Sequence, residues 1–358
     1  MKIKAVSLVS GGLDSTLATK VVLEQGVDVI AANFVSPFCR CDRGHSSLAG
    51  PRESRAESRG DNDMGHGKAG CRHEAKFVSE QLGIPLKIVN VTKDFLEVLK
   101  SPKHGYGSNI NPCIDCRILM LKKARQLMDE LGAKFLITGE VLGQRPMSQR
   151  RDAMHIIERE AGVKGLVLRP LSARLLEPTI AETEGWVDRQ KLLNISGRGR
   201  KPQMKLAEDY NIKDYPCPAG GCLLTDPAFS RRIRDLIDHD ELTMEDVQLL
   251  NHGRYFRLTD RAKLIVGKNQ HENERLEVLA SAGDYLFYPA HDAAGASGLG
   301  RGDFSQGGVL RLAAGITARY FDAAKISNEV SVSVRRGDGI QTMTVAPLAD
   351  EETKKYLV

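Results

Sequence analysis

Ser10-Gly11-Gly12-Leu13-Asp14-Ser15 follows an apolar run over residues 5–9 and opens a helical pattern near Leu13. A glycine pair at a strand-to-helix turn lets successive backbone N–H groups converge on an anion, and the helix start adds the positive end of its dipole. Such a turn is a phosphate cradle, and it constrains the scaffold. It needs a buried strand running into a helix, the unit from which parallel α/β sheets are built. No Gly-Lys-Ser/Thr follows, so the loop is not of the Walker type. The plainer reading is a tight turn capped by Ser10.

The alternation continues downstream. Leu17, Val21 and Val22 keep helical spacing, Gly26 suits the stop, and residues 27–32 read as a second buried strand. A helix over residues 74–82, a strand over 86–91, a long helix over 114–131 and a strand over 134–138 follow. In such a sheet ligands sit at the carboxyl ends of the strands, so the Ser10 loop and Thr138-Gly139-Glu140 are expected to face one pocket. Residues 42–70, rich in Gly, Arg, Ser and Asp, cannot form a core and read as a surface insertion. Beyond Pro216 two helical patterns precede short, glycine-rich strands from Arg254 onward. The fold expected is α/β: a parallel-sheet domain over residues 1–225, a helical linker over 226–252 and a smaller α+β domain over 253–358.

The 358 residues carry 51 Lys and Arg against 46 Asp and Glu, a balance too even to decide for or against nucleic acid. Local clusters must decide. No stretch reaches the length of a membrane span and the amino terminus runs into a strand, so a cytoplasmic protein with no membrane partner is expected. Residues 189–205 hold Arg189, Lys191, Arg198, Arg200, Lys201 and Lys205 with no acidic residue, a density suited to RNA phosphates and equally to a solvated helix face.

Seven cysteines, an odd number, argue against a disulfide framework and for thiol or metal chemistry. Cys113-Ile114-Asp115-Cys116 starts a helix, and Cys217-Pro218-Ala219-Gly220-Gly221-Cys222 follows about a hundred residues later. Four thiolates would suit structural Zn2+, a thiol pair would suit nucleophilic or persulfide chemistry, and three would hold an iron–sulfur cluster with one open iron. Cys39, Cys41 and Cys71 with His45, His66 and His73 form a second candidate metal group, but their spacing matches no standard zinc pattern and favours free thiols on a loop. His104 precedes the first thiol pair and is a candidate pocket residue.

Taken together, the Ser10–Ser15 loop, Asn111-Pro112-Cys113-Ile114-Asp115-Cys116, the run Thr138-Gly139-Glu140-Val141-Leu142-Gly143-Gln144-Arg145-Pro146-Met147-Ser148-Gln149 and Arg169-Pro170-Leu171-Ser172 resemble the tRNA thiouridine synthases of the PP-loop ATPase superfamily. That resemblance implies adenylation of a uridine carbonyl oxygen with ATP and Mg2+, followed by replacement of the oxygen with sulfur from sulfide or a persulfide carrier. It implies nucleotide contacts from Ser10, Gly11, Gly12, Asp14 and Ser15, and from Gly139, Glu140, Gln144, Ser148 and Gln149. By fold position Asn33 and Phe34 are expected near adenine, Phe34 equally in the core. The Cys-x-x-Cys with a later cysteine is similar to the cluster-dependent members and implies a [4Fe–4S] cluster on Cys113, Cys116 and Cys222, with Cys217 in reserve. A persulfide enzyme without a cluster, a PP-loop ligase or amidating enzyme, and a non-catalytic RNA-binding metalloprotein are the alternatives.

The segment from Gly253 onward resembles the RNA-binding module of the NFACT family through Leu264-Ile265-Val266-Gly267-Lys268-Asn269-Gln270 and Ala282-Gly283-Asp284-Tyr285-Leu286-Phe287. Relatives of the thiolating kind often carry an N-terminal RNA-binding domain, whereas this sequence opens at the nucleotide loop. Recognition of tRNA is therefore expected at the C-terminal end, with Lys268, Arg198, Arg200 and Lys201 as RNA-binding candidates.

Overall fold

The computed structural model describes residues 2–38, 71–212, 221–291, 293–325 and 327–358. Two compact units divide the chain, Met1–Thr225 and Asp226–Val358.

In the first unit the described elements run β1 (Lys4–Leu8), α1 (Leu13–Leu23), β2 (Asp28–Val35), α2 (Cys71–Leu82), β3 (Leu86–Asn90), α3 (Thr92–Lys100), α4 (Cys113–Glu130), β4 (Phe135–Thr138), α5 (Arg151–Ala161), β5 (Val167–Leu168), α6 (Ile180–Thr183) and α7 (Lys201–Asp209). The five strands form one sheet in the order β3-β2-β1-β4-β5, every pair parallel. Strand order reverses beside β1, which lies between β2 and β4. That reversal opens a crevice at the carboxyl ends of β1 and β4, where the Ser10 loop and Gly139 emerge.

Successive residues of β1 feed opposite faces, as strand geometry requires. Ala5 joins Leu13, Leu17, Val21, Val29, Phe135 and Leu168 in one cluster, while Val6 joins Ile118, Leu121, Leu136, Ile157 and Val167 in another. Burial on both faces explains why β1 and β4 read as continuous apolar runs. Helices α3, α5 and α7 add to those read from the sequence. Left-handed Gly162 (φ 68°) stops α5, and Pro202 fits the first turn of α7.

The second unit begins with α8 (Pro227–Asp238) and α9 (Met244–Leu249), so the helices expected as a linker sit within it. Asp226 and Thr243 cap them by accepting from Phe229 N and Asp246 N. Next come β6 (Arg254–Thr259), β7 (Ala262–Val266), α10 (Gln270–Leu279), β8 (Tyr285–Pro289), β9 (Gly298–Gly302), α11 (Val309–Ala318), β10 (Val330–Arg336), β11 (Gly339–Val345) and α12 (Asp350–Lys354). Its six strands pair antiparallel in the order β11-β10-β8-β9-β7-β6, with α11 against the sheet. A Cβ on Gly298 would lie 2.6 Å from Thr317 Oγ1, so glycine there lets α11 approach β9.

Among the described residues no helix is long and apolar enough to cross a membrane.

Candidate active site

The loop between β1 and α1 is held open by its own side chains. Ser15 Oγ donates to Gly12 O at 2.8 Å and accepts from Ser10 N at 3.3 Å. Gly11 has φ +82°, and a Cβ there would lie 2.5 Å from Glu74 Cβ on α2. Glycine at position 11 is therefore required twice, by backbone conformation and by the neighbouring helix. Gly12 takes the N-cap position of α1 in an extended conformation, leaving the first helical N–H groups at the mouth of the crevice.

The second wall presses directly on this loop. A Cβ on Gly139 would lie 2.5 Å from Ser15 N and 2.6 Å from Asp14 C, a backbone approach that only glycine permits. Gln144 Nε2 donates to Asp14 Oδ2 at 3.0 Å, while Asp14 Oδ1 is buried without a partner. The guanidinium of Arg200 lies 3.8 Å from the same Asp14 Oδ2. Gly197 N donates to Leu142 O at 2.7 Å, which fastens the basic segment onto the Gln144 turn and brings Arg200 to the loop. Of the RNA-binding candidates, Arg200 thus meets the nucleotide loop, whereas Arg198 and Lys201 are exposed. In the second unit, Lys268 is exposed and its N donates to Glu272 Oε2.

Other expected contacts have different places. Asn33 is buried and its Nδ2 donates to Val9 O at 2.8 Å, bracing β2 against the end of β1. Phe34 packs against the Val6 cluster, the core position that competed with the adenine one. Glu140 was expected to face the nucleotide and is instead buried in an ion-pair network, with Arg169 Nε at 2.9 Å and Arg117 Nε at 3.5 Å. Burial pushes its pKa up, yet the two arginines outweigh burial and hold the carboxyl below its ordinary range. Arg169 also pairs with Glu158 on α5, so one guanidinium links the ends of β4 and β5 to that helix. Gln149 serves the loop itself, its Oε1 accepting from Arg145 N at 3.1 Å. His104 pairs with Glu160 at 3.1 Å and its backbone N donates to Asp115 Oδ2, a role in anchoring α4.

The thiols come next to this wall. Cys113 opens α4 and its Sγ donates to Ser148 Oγ at 3.2 Å, with Ser148 fully buried. Gly107 makes room for Met147 of the same turn, since a Cβ there would overlap Met147 Sδ. Asn109 Nδ2 donates to Thr225 O and Thr225 Oγ1 donates to Cys222 O, tying the Cys222 turn to the approach to α4. Burial pushes the Cys116 thiol up from 9.0 to about 12; Arg117 opposes this, and the neighbouring Cys113 and Cys222 add to it. All three thiols therefore share one electrostatic neighbourhood. Among the described residues, however, no group of three or more Cys, His, Asp or Glu side chains is arranged to hold a metal ion. Cys217 and most of the second candidate group, Cys39, Cys41, His45 and His66, lie outside the described residues, as do the side chains of Cys71 and His73.

Residues that sequence reasoning passed over are Arg117, Arg145 and Arg169. Burial and then the charge of Arg117 lower the Arg145 pKa, while Cys113, Glu140 and Asp14 oppose this. The signal was available, since Arg145 and Arg169 both lie in the quoted motifs.

Residues 69–177 match the family model of the thiamine biosynthesis protein ThiI, and residues 253–357 match that of the NFACT protein RNA binding domain. The chain joins a ThiI-family PP-loop unit to an NFACT RNA-binding domain. It is 30% identical over 148 residues to the tRNA-specific 2-thiouridylase MnmA of Magnetococcus marinus, covering 39% of this chain and 36% of that protein. It is 27% identical over 168 residues to a probable tRNA sulfurtransferase of Thermococcus kodakarensis, covering 47% of this chain and 36% of that one. The chain thus spans little more than a third of the length of these two curated relatives. A solved 4-thiouridine synthetase–RNA complex with bound ATP aligns at TM-score 0.34 and 22% identity, covering 58% of this chain and 51% of that chain.

Proposed function

We propose that this chain thiolates a uridine of tRNA at the expense of ATP. One observation carries the reading: a single turn touches both halves of the chemistry, Gln144 holding Asp14 of the phosphate loop and Ser148, four residues on, holding Cys113. A ligase that adenylates a carboxylate needs the first contact and has no use for the second.

The residues divide the work as follows. The N–H groups at the start of α1, with Ser10 and Ser15, suit the pyrophosphate of ATP, and the partnerless Asp14 Oδ1 suits Mg2+. A uridine carbonyl oxygen is a poor leaving group; adenylation lets it depart as AMP. Arg145 and Arg117 offset the charge that builds on the phosphate and on an attacking thiolate. Cys113, Cys116 and Cys222 handle sulfur. A [4Fe–4S] cluster on these three thiolates would supply an iron open to sulfide. The described residues fit that group incompletely.

The test is turnover of the purified protein with tRNA, ATP, Mg2+ and a sulfur donor, sulfide in one arm and a persulfide carrier in the other, reading AMP, pyrophosphate and thiolated nucleosides by mass spectrometry. Asp14→Ala is expected to stop AMP release, and Cys113→Ala to stop sulfur transfer while AMP release continues. AMP formation without any sulfur in the nucleosides overturns the reading. Iron and sulfide analysis after anaerobic purification decides the cluster, since active protein free of iron leaves a thiol relay.

A further inference from the structure

The second unit contains a cavity of about 300 Å³ between α8, β6, α12 and the end of α11. Its wall holds Arg231, Arg232, Arg254 and Lys354 against a single acidic side chain, Asp350. Asp350 is already paired with Lys354 at 2.7 Å and Arg319 at 2.8 Å, so the excess of positive charge stands. Tyr320 also lines the cavity, and the Arg254 guanidinium lies over its ring at 4.3 Å from the centroid. Phe256 and Leu357 supply apolar floor, Leu357 at 49% exposure.

We infer that this cavity is a nucleotide-binding pocket for an unpaired residue of RNA. The proposal rests on the reading of this unit as RNA-binding and names the site within it. Three features of the wall fit one nucleotide. The Arg254 guanidinium seated over Tyr320 gives a cation–aromatic pair whose uncovered faces offer a platform for a base, because every base presents a π-face to an aromatic ring or a guanidinium. The surplus cations meet the flanking phosphates. The volume admits a base and excludes a duplex, so recognition is of a splayed-out or terminal nucleotide, the form in which proteins read RNA bases. The side chains are preset: Arg254 Nη1 also donates to Gly267 O at 3.4 Å, which places the pocket beside the turn that carries Lys268. A protein partner would be expected to meet a broader apolar surface than Phe256 and Leu357 provide.

The experiment measures binding of the full chain to two fluorescent RNAs, a hairpin with a four-nucleotide single-stranded overhang and the same hairpin with a blunt end. Arg231→Gln changes an exposed side chain, and Tyr320→Phe keeps the ring while Tyr320→Ala removes it. Tyr320→Ala is expected to weaken overhang binding by about tenfold, with Tyr320→Phe close to wild type and the blunt hairpin little affected. Arg231→Gln is expected to lower the slope of log K against log salt by about one. Equal loss on both RNAs, or no loss on either, overturns the pocket while leaving RNA binding by the unit in place. Absence of RNA binding by the wild-type chain overturns the reading of the unit, and the pocket with it.

Discussion

Gly139 and Ser15 meet backbone to backbone: a Cβ on Gly139 would lie 2.5 Å from Ser15 N, so the end of β4 and the start of α1 form one continuous wall. The atoms in the way belong to the backbone and cannot rotate aside. Gly139→Ala should therefore cost about 1–3 kcal/mol of stability, the usual scale of overpacking, and displace the phosphate loop. Denaturant unfolding and ATP titration check this; an unchanged midpoint with unchanged ATP affinity contradicts it.

Arg200 belongs to the basic stretch that the sequence offers to RNA, yet its guanidinium lies 3.8 Å from Asp14. Arg200→Gln should weaken ATP binding by about tenfold, the scale of one charge-assisted hydrogen bond, and change tRNA affinity by less than Arg198→Gln does. Paired titrations with ATP and with tRNA read the two effects separately. Loss confined to tRNA would return Arg200 to the RNA surface.

Arg169 is 4% exposed and serves Glu140 and Glu158 together. Removing it leaves the buried Glu140 and the partly buried Glu158 short of a cation, so Arg169→Met should cost about 3–5 kcal/mol. The pH dependence follows from Glu140. Its folded pKa lies below 4.5, so its contribution is present above that value and is lost as pH falls through the folded pKa. In Glu140→Gln that part of the acid destabilisation should disappear, which acid-titrated thermal melts would show.

Cys116 has the opposite sign. Its pKa rises from 9.0 to about 12 through burial, so the thiol stays protonated where an exposed one ionises, and the stability it contributes is lost as pH climbs from 9.0 towards 12. Alkylation of Cys116 in the folded chain should be slow at pH 9 and accelerate on unfolding. Peptide mapping after timed iodoacetamide treatment would read this, and rapid labelling at pH 9 would contradict it. A bound metal ion at this site would lower the same pKa, so labelling with and without chelator distinguishes the two states.

The sequence by itself determined the parallel sheet, the phosphate loop and the nearness of two of the three thiols. These rest on local causes: apolar runs of strand length, a glycine pair at a helix start, and Cys113 and Cys116 within one helical turn. Tertiary structure decided which charges meet. Glu140 reads as a pocket carboxylate in the motif and becomes a structural anchor once Arg117 from α4 and Arg169 from beyond β5 reach it. Arg200 reads as one cation in a basic stretch and reaches Asp14 because Gly197 is bound to Leu142. Backbone propensity is written residue by residue along the chain. The partner of a charged side chain is set by elements that fold together from distant segments, and no local pattern encodes it.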